Sequence, residues 1–490
     1  MARLQLIFPL LFWALWRGTD SSAQHWPVDP RVGTAAYFLS LVLILGLMSW
    51  TARRAMRRTS YAQVAAVPHF HRLAAYARWT VLALHGLALW GLGYGDVVLR
   101  VVPDFDHRCD SLPAFASILP VVLTWVGLIW AQYPLDRGVR EQNALYAFEL
   151  GEPVHAVPTR QAYLLHAVRS QILFTLAPLL SISFLRDGLA AVAPMMGWLR
   201  PAEWVITFVA AGVVFALSPE LLRRVLPTEP LPPSPLRERL TSLSSRLKLG
   251  VRDILLWHTH HSMGNAAVMG VVPGVRYVLI SDLLIETMTP DQLEAVFAHE
   301  AGHVKHRHIA WYIVFWLLVT LGFSVLGNRA AQWILDNQLA DLVTTQAVLE
   351  VGGILIGLLL FGALSRSFER QADLFAARRL DRTGEADVPA RDGTRVFASA
   401  LRHVARLNNL PFDARSFTAG RPLWGRVLGR MVHHASTWLH GSIRSRIEHL
   451  AHLTDTPSAA LRFDRRMIAV RVALLVGLAV STLAFIRATQ

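Results

Sequence analysis

Eight long apolar runs constrain the fold of this chain more than any other feature of its sequence. They lie at residues 33–50, 79–102, 113–133, 162–185, 203–222, 309–327, 347–365 and 468–487. A run of about 17–25 apolar residues crosses the hydrocarbon core of a bilayer as a helix. With 53% hydrophobic residues in 490, a soluble protein of this length would expose too much apolar surface. The sequence therefore predicts an α-helical polytopic membrane protein.

The first residues have the pattern of a signal peptide. Arg3 precedes an apolar stretch from Leu4 to Trp16, and the small residues Ser21 and Ala23 follow. A basic start, a short apolar core and small residues at the end are typical of a cleaved signal. Residues 1–23 are therefore a possible signal peptide, and an uncleaved segment lying at the membrane is the alternative.

Arginine residues are unevenly distributed among the loops between the apolar runs. They cluster in 51–78, 134–169 and 223–224, whereas 103–112 and 328–346 carry one arginine each. Because cytoplasmic loops are enriched in Lys and Arg, the long segments 223–308 and 366–467 are expected on the cytoplasmic side, at a bacterial inner (cell) membrane. This topology accounts for the net charge of +14. We therefore expect the lipid bilayer, and no nucleic acid, as a partner.

The runs and loops suggest how the chain is divided. Residues 33–222 form an N-terminal membrane domain of about five spans, 309–365 a transmembrane hairpin, and 468–487 a C-terminal span. Segments 226–308 and 366–460 are the two parts of a small α+β domain. The first part has a helical pattern at 236–249 and β-rich runs at 253–258, 265–272 and 275–281. Thr289 and Pro290 are typical of a helix start, which predicts a helix from Pro290.

The helix after Pro290 carries the sequence His299-Glu300-Ala301-Gly302-His303. Two histidines four residues apart lie on one face of a helix, so that both imidazoles can bind one Zn²⁺. Glu300 lies beside them and can act as the general base. Since Cys109 is the single cysteine, any further ligand has to be a histidine or a carboxylate. His306 and His308, which follow the motif, are expected to be interfacial or solvated.

A catalytic zinc needs a third protein ligand, and Glu369 is the best candidate. Glu369 and Asp373 lie four residues apart in a helical pattern, so Asp373 can orient a zinc-binding imidazole through a hydrogen bond. Two predicted spans separate His303 from Glu369, and an even number returns the chain to the same side of the membrane. The sequence thus predicts one Zn²⁺ per chain, held by His299, His303 and Glu369.

These motifs resemble the M48 family of membrane metallopeptidases, which includes HtpX-type proteases and CAAX prenyl endopeptidases. The resemblance covers about residues 230–450 and includes 264–267, 277–284, 293–308 and 369–373. It implies a gluzincin-type zinc peptidase domain inserted among the spans.

The resemblance also implies roles for residues outside the metal motif. Asn265 and Ala266 would belong to an edge strand that binds the substrate backbone. His440 would donate a hydrogen bond to the oxyanion, and Arg446, six residues later, would complete the substrate site. The family often has Pro where this chain has Gly441.

We expect a zinc metalloendopeptidase that hydrolyses membrane-associated or misfolded polypeptides at the cytoplasmic face. A CAAX-type processing enzyme for lipidated C-termini is one alternative. A catalytically inactive, zinc-stabilised membrane scaffold is another, although such a scaffold would not need Glu300. The sequence does not indicate an oligomeric state.

Overall fold

The computed structural model describes residues 5–18, 28–57, 60–102, 111–149, 151, 154–192, 203–339, 341–381, 392–408, 410 and 437–489. The chain divides into two compact units, residues 1–228 and 229–490. Parts of the predicted signal peptide (1–4 and 19–23) and much of segment 366–460 (382–391, 409 and 411–436) lie outside the described residues.

The described residues of unit 1 are mostly helical. Its helices are α1 (Ile7–Gly18), α2 (Pro30–Met56), α3 (Ser60–Gly91), α4 (Tyr94–Val101), α5 (Ser111–Glu149), α6 (Arg160–Ala167), α7 (Phe174–Val192) and α8 (Glu203–Val225). One π-helical turn, Val168–Leu173, joins α6 to α7.

Unit 2 combines a small sheet with long helices. Its elements in chain order are β1 (Thr228–Pro230), α9 (Pro235–Arg246), β2 (Val251–Trp257), β3 (Ala266–Met269), β4 (Arg276–Ser281), α10 (Asp282–Thr287), α11 (Pro290–Lys305), α12 (His308–Asp336), α13 (Leu342–Leu380), α14 (Gly393–Leu407), α15 (Ile443–Asp455) and α16 (Pro457–Thr489).

Within the described residues, six helical segments are long and apolar enough to cross a membrane. They are Pro30–Met56, Ser111–Tyr146, Arg160–Leu189, His308–Asp336, Val348–Leu380 and Pro457–Ala488. This confirms an integral membrane protein with a small sheet domain between its spans. The predicted run 203–222 coincides with α8, but the side chains of 203–208 are not described.

The predicted run 79–102 is not one straight helix. Its residues lie in α3 and α4, which meet at an angle of 78° and form a seventh span if the bent pair crosses together. Gly93 lies at the bend with a φ of +67°, in the left-handed region that glycine adopts without steric cost. An added Cβ there would lie 2.8 Å from Cβ of Pro30, so side-chain volume also disfavours other residues.

Helix α1 occupies most of the predicted signal peptide and packs into the core of unit 1. Trp13 and Trp16 are fully buried in that core. A Cβ at Gly95 would lie 2.2 Å from the Trp16 ring, so α1 and α4 approach each other closely. Whether residues 1–23 are cleaved stays a prediction.

The sheet of unit 2 has the strand order β1-β2-β4-β3. Strand β2 pairs with β4 in parallel, and β3 pairs with β4 antiparallel, with Ala266 opposite Ile280. The three predicted β-rich runs are confirmed. Strand β3 is shorter than predicted, because Gly270 follows Met269 with a φ of +106°. Because β3 is the last strand in the order, it lies at an edge of the sheet.

Helix α11 begins as the sequence predicts. Thr289 caps it through a reciprocal capping box with Gln292, and Pro290 occupies the first turn. Gly302 allows a close approach to α13, because a Cβ there would lie 3.0 Å from Cα of Ala372. Since α13 continues without interruption past residue 365, one rigid helix carries both Glu369 and Asp373 alongside the His299–His303 motif.

Candidate metal centre

His299, His303 and Glu369 bring three possible metal donors together. The Nε2 atoms of the two histidines are 3.3 Å apart. Nε2 of His299 lies 3.6 Å from Oε2 of Glu369, and Nε2 of His303 lies 3.7 Å from Oε1. Ligand atoms about 2.0–2.2 Å from a tetrahedral zinc are about 3.3–3.6 Å from each other. The donor atoms and their spacing therefore fit Zn²⁺.

The environment keeps one of the imidazoles in the form that binds a metal. Burial and the neighbouring His299 lower the pKa of His303 to about 4. A neutral imidazole is the form that coordinates a metal. The ring of His299 stacks on Phe397, with centroids 5.6 Å apart, which restrains its orientation.

Asp373 and Arg446 surround the ligands with buried charge. Nδ1 of His299 lies 3.0 Å from Oδ1 of Asp373, so this carboxylate can orient the ring. Arg446 binds Asp373 through two donors, at 2.9 Å from Nε and 2.5 Å from Nη2. Its Nη1 is also 3.2 Å from Oε2 of Glu369. Asp373 and Arg446 are buried, so Arg446 holds the two carboxylates in place.

A second chain of contacts leads from His303 to helix α16. Nδ1 of His303 lies 2.9 Å from Nδ1 of His308, and Nε2 of His308 lies 3.0 Å from Oε1 of Gln371. Arg471 donates to the same Gln371 oxygen at 2.9 Å. The expectation that His308 is interfacial or solvated is wrong, because its side chain is fully buried.

The contact between His308 and His303 could not be predicted from helical spacing, because that spacing relates only residues of one helix and the two histidines lie on different helices. Arg307 adopts a left-handed backbone with φ +54°, which ends α11 and starts α12 at His308. The turn directs His308 back toward His303. Gln371 and Arg471 carried no signal that could be read from the sequence alone.

Glu300 lies beside the donors and is not one of them. Its Oε2 accepts a hydrogen bond of 3.3 Å from the backbone N–H of Val268 in strand β3. Burial raises the pKa of Glu300 above its ordinary value. A carboxylate with a raised pKa accepts a proton more readily near neutral pH, which suits a general base.

The remaining predicted site residues lie at the start of strand β3 and in the segment before α15. Asn265 exchanges hydrogen bonds of 3.0 Å with Ser281, and Ala266 follows it in strand β3. Nδ1 of His440 is 2.9 Å from Oε1 of Glu369, and the His440 side chain is 66% exposed. Gly441 has a φ of +75°, a conformation that proline cannot adopt.

Comparison with known proteins agrees with the site. Residues 236–454 match the family model of Peptidase family M48. A CAAX prenyl protease 1 homolog of Arabidopsis thaliana is 28% identical over 193 residues, which are 36% of this chain and 44% of that protein. A Protease HtpX homolog of Thermoplasma acidophilum is 25% identical over 178 residues, 34% of this chain and 54% of that protein.

These similarities are partial. The chain spans less than half the length of the plant relative that it matches. The solved structure of S. mikatae Ste24p aligns over 87% of this chain and 100% of that one, with 13% identity and a TM-score of 0.43, a score that does not establish a common fold. The matched residues contain the His299–His303 motif, Glu369 and His440. Residues 236–454 of this chain, which include two of its candidate membrane spans, therefore match the model of peptidase family M48.

Proposed function

We propose that this protein is a zinc-dependent metalloendopeptidase that hydrolyses membrane-associated or misfolded polypeptides at the cytoplasmic face of a bacterial inner membrane. The observation that carries the proposal is the triangle of His299, His303 and Glu369 donor atoms with Glu300 beside it. The match to an M48 peptidase model supports it. The cytoplasmic location rests on the distribution of arginine among the loops.

One Zn²⁺ held by His299, His303 and Glu369 would supply a Lewis acid that activates a water molecule and polarises the peptide carbonyl. Glu300 accepts the proton of the attacking water and passes it to the leaving amine. The imidazole of His440, exposed and next to Glu369, donates to the developing oxyanion. Asp373 and Arg446 act indirectly, because they hold the ligands in place.

Strand β3 offers the substrate a place to bind. It is one of the two edge strands of the sheet, and the N–H of Val268 already contacts Glu300. An extended peptide that pairs with this edge would present its backbone carbonyl next to the general base. We assign Asn265 and Ala266 to this edge. Such pairing reads the backbone and not the side chains, so it suits a protease of broad specificity.

The proposal is tested by measuring bound zinc and casein hydrolysis together, for the detergent-purified wild type and for Glu300→Gln. Both proteins are expected to hold about one zinc per chain, and the substitution to lower hydrolysis by about 10²–10⁴-fold. Glu448→Gln, an exposed glutamate on α15, serves as the control and should retain full activity. A wild type without zinc would contradict the proposal, and zinc without cleavage of any peptide would favour an inactive scaffold.

A second candidate function is the processing of lipidated C-termini. It is favoured by the similarity to a protein named as a CAAX prenyl protease homolog. Two peptides of one sequence, with and without a prenyl group on cysteine, distinguish the candidates. Cleavage of only the prenylated peptide would support the processing enzyme, whereas equal cleavage of both would support the broader endopeptidase.

A further inference from the structure

A groove of about 480 Å³ lies between helices α12, α13 and α16 of unit 2, away from the metal donors. Its walls are almost entirely apolar and include Phe315, Val319, Phe323, Ile356, Leu360 and Leu474. Two polar residues, Ser367 and Arg466, line it at the end nearer the peptidase site. A groove with an apolar body and a cationic end fits an amphiphile with an anionic head.

The length of the groove matches one leaflet of a bilayer. Along α13 it extends from Ile356 to Ser367, which is about 16 Å at a rise of 1.5 Å per residue. The hydrocarbon core of a bilayer is about 30 Å thick, so the groove covers about half of it. Ile356 and Leu360 of its wall are exposed, and the three helices that form it are long and apolar enough to span a membrane, so an acyl chain of the bilayer can reach it.

Several arginines gather where the groove is polar. Arg466, Val470 and Leu474 are spaced four residues apart and line the groove from one face of α16. Arg466 is the polar residue at the end of this otherwise apolar face. Arg370, half-buried on α13, is repelled by the positive charges of Arg366 and Arg466. In the parts of the chain that the structure describes, no carboxylate pairs with Arg370 or Arg466.

Other groups near this cluster already have partners. Arg366 donates to the carbonyl of Trp438 at 2.7 Å. The neighbouring Asp464 lies 3.3 Å from Arg378, and Asp373 is bound to Arg446. Burial and the charge of Arg370 lower the pKa of His449, which lies near the same arginines. An external anion would therefore relieve the repulsion between Arg370 and Arg466.

We propose that this groove binds an anionic phospholipid, with an acyl chain between α12, α13 and α16 and the phosphate held by Arg466 and Arg370. Basic pockets between transmembrane helices are a known means of binding acidic headgroups. The apolar walls select for an acyl chain, and the cations select against a zwitterionic headgroup. The site is separate from the one proposed for peptide hydrolysis and does not depend on it.

Photo-crosslinking in nanodiscs tests the proposal with the full chain. The nanodiscs consist of phosphatidylcholine with a trace of phosphatidylglycerol that carries a photoreactive diazirine in one acyl chain. Crosslinked peptides are identified by mass spectrometry and are expected to come from α12, α13 and α16. Arg466→Gln should lower this labelling about fivefold, the effect of one basic residue near an anionic headgroup. Arg465→Gln, the exposed neighbour that does not line the groove, should leave it unchanged.

A second variant tests the apolar part of the site independently of charge. Gly322 lines the groove, and a Cβ there meets only Ser481 Oγ at 3.6 Å, so the backbone has room for a side chain and Gly322→Leu adds apolar volume at the groove. It should reduce labelling as strongly as Arg466→Gln, and bound zinc should stay at the wild-type level in both variants.

Three results would overturn the proposal. The first is labelling of the groove by photoreactive phosphatidylcholine that is as strong as labelling by phosphatidylglycerol. The second is a loss of labelling in Arg465→Gln that is as large as the loss in Arg466→Gln. The third is labelling of the same helices by a photoreactive prenyl peptide that is stronger than labelling by the lipid and does not depend on Arg466. The last result would assign the groove to a lipidated substrate.

Discussion

The buried charges around Glu369 provide the most demanding test of this structure. Arg446 is the cation that contacts both Asp373 and Glu369, and the three side chains are all buried. Arg446→Met keeps an unbranched side chain of similar length and removes the charge. It leaves two carboxylates without their cation in a region of low dielectric, which costs about 3–5 kcal/mol of the free energy of unfolding.

The expected loss is large enough to measure in detergent micelles. For a unit of this size, each kcal/mol lowers the melting temperature by about 2–4 °C, so Arg446→Met should lower it by roughly 6–20 °C. Zinc affinity should fall by about 10–100-fold, since Asp373 would no longer be held against His299. Both quantities are measured on the same preparations, by thermal unfolding and by competition with a zinc chelator.

Two further variants separate the charge effect from a loss of packing. Arg444→Met lies on the same helix and removes an exposed ion pair with Glu448, which contributes about 0–1 kcal/mol. The double variant Arg446→Met/Asp373→Asn removes one uncompensated carboxylate and should regain part of the lost stability. The reasoning is refuted if Arg446→Met melts at the same temperature as Arg444→Met. It is also refuted if the double variant loses more stability than the sum of the losses in its two single variants.

Three other predictions concern the metal and the loop beside it. Chelation with 1,10-phenanthroline should abolish peptide hydrolysis and added Zn²⁺ should restore it; hydrolysis by metal-free protein would contradict the zinc assignment. His308→Ala removes the contact to His303 and should weaken zinc binding about 10–100-fold, whereas the control His306→Ala should weaken it less. An equal loss of zinc affinity in the two variants would argue against a role for the His303–His308 contact. Gly441→Pro places a proline where this chain has a φ of +75°, a conformation that proline cannot adopt. It should lower the free energy of unfolding by about 1–3 kcal/mol and should also lower activity. A fully active variant would show that the loop adopts another conformation.

The parts of the site that could be predicted are those in which local chemistry determines geometry. A histidine pair at helical spacing lies on one face in any α-helix, and Thr289, Pro290 and Gln292 specify where that helix starts. The third ligand could be proposed because two spans between His303 and Glu369 return the chain to the same side. Each of these inferences needs only a helical repeat or the thickness of a bilayer.

Contacts between distant segments could not be derived in this way. The bend at Gly93 arises where α3 meets Pro30, and the shortening of β3 depends on the conformation of Gly270. His308 looked like a solvated residue because the turn at Arg307, which directs it to His303, has no clear sequence signal. The groove lined by Arg466 exists only because α12, α13 and α16 leave a space between them.

By itself, the sequence determined that this chain spans a membrane, that one helix carries a pair of candidate zinc-binding histidines and that Glu369 is the candidate third ligand, because periodicity and span length are properties of the local chain. Only the tertiary structure decided which groups support those ligands. Arg446 reaches Asp373 across 73 positions, and Arg471 reaches Gln371 across 100. Partners so far apart in the chain are selected by helix packing, which depends on every side chain at the interface at once.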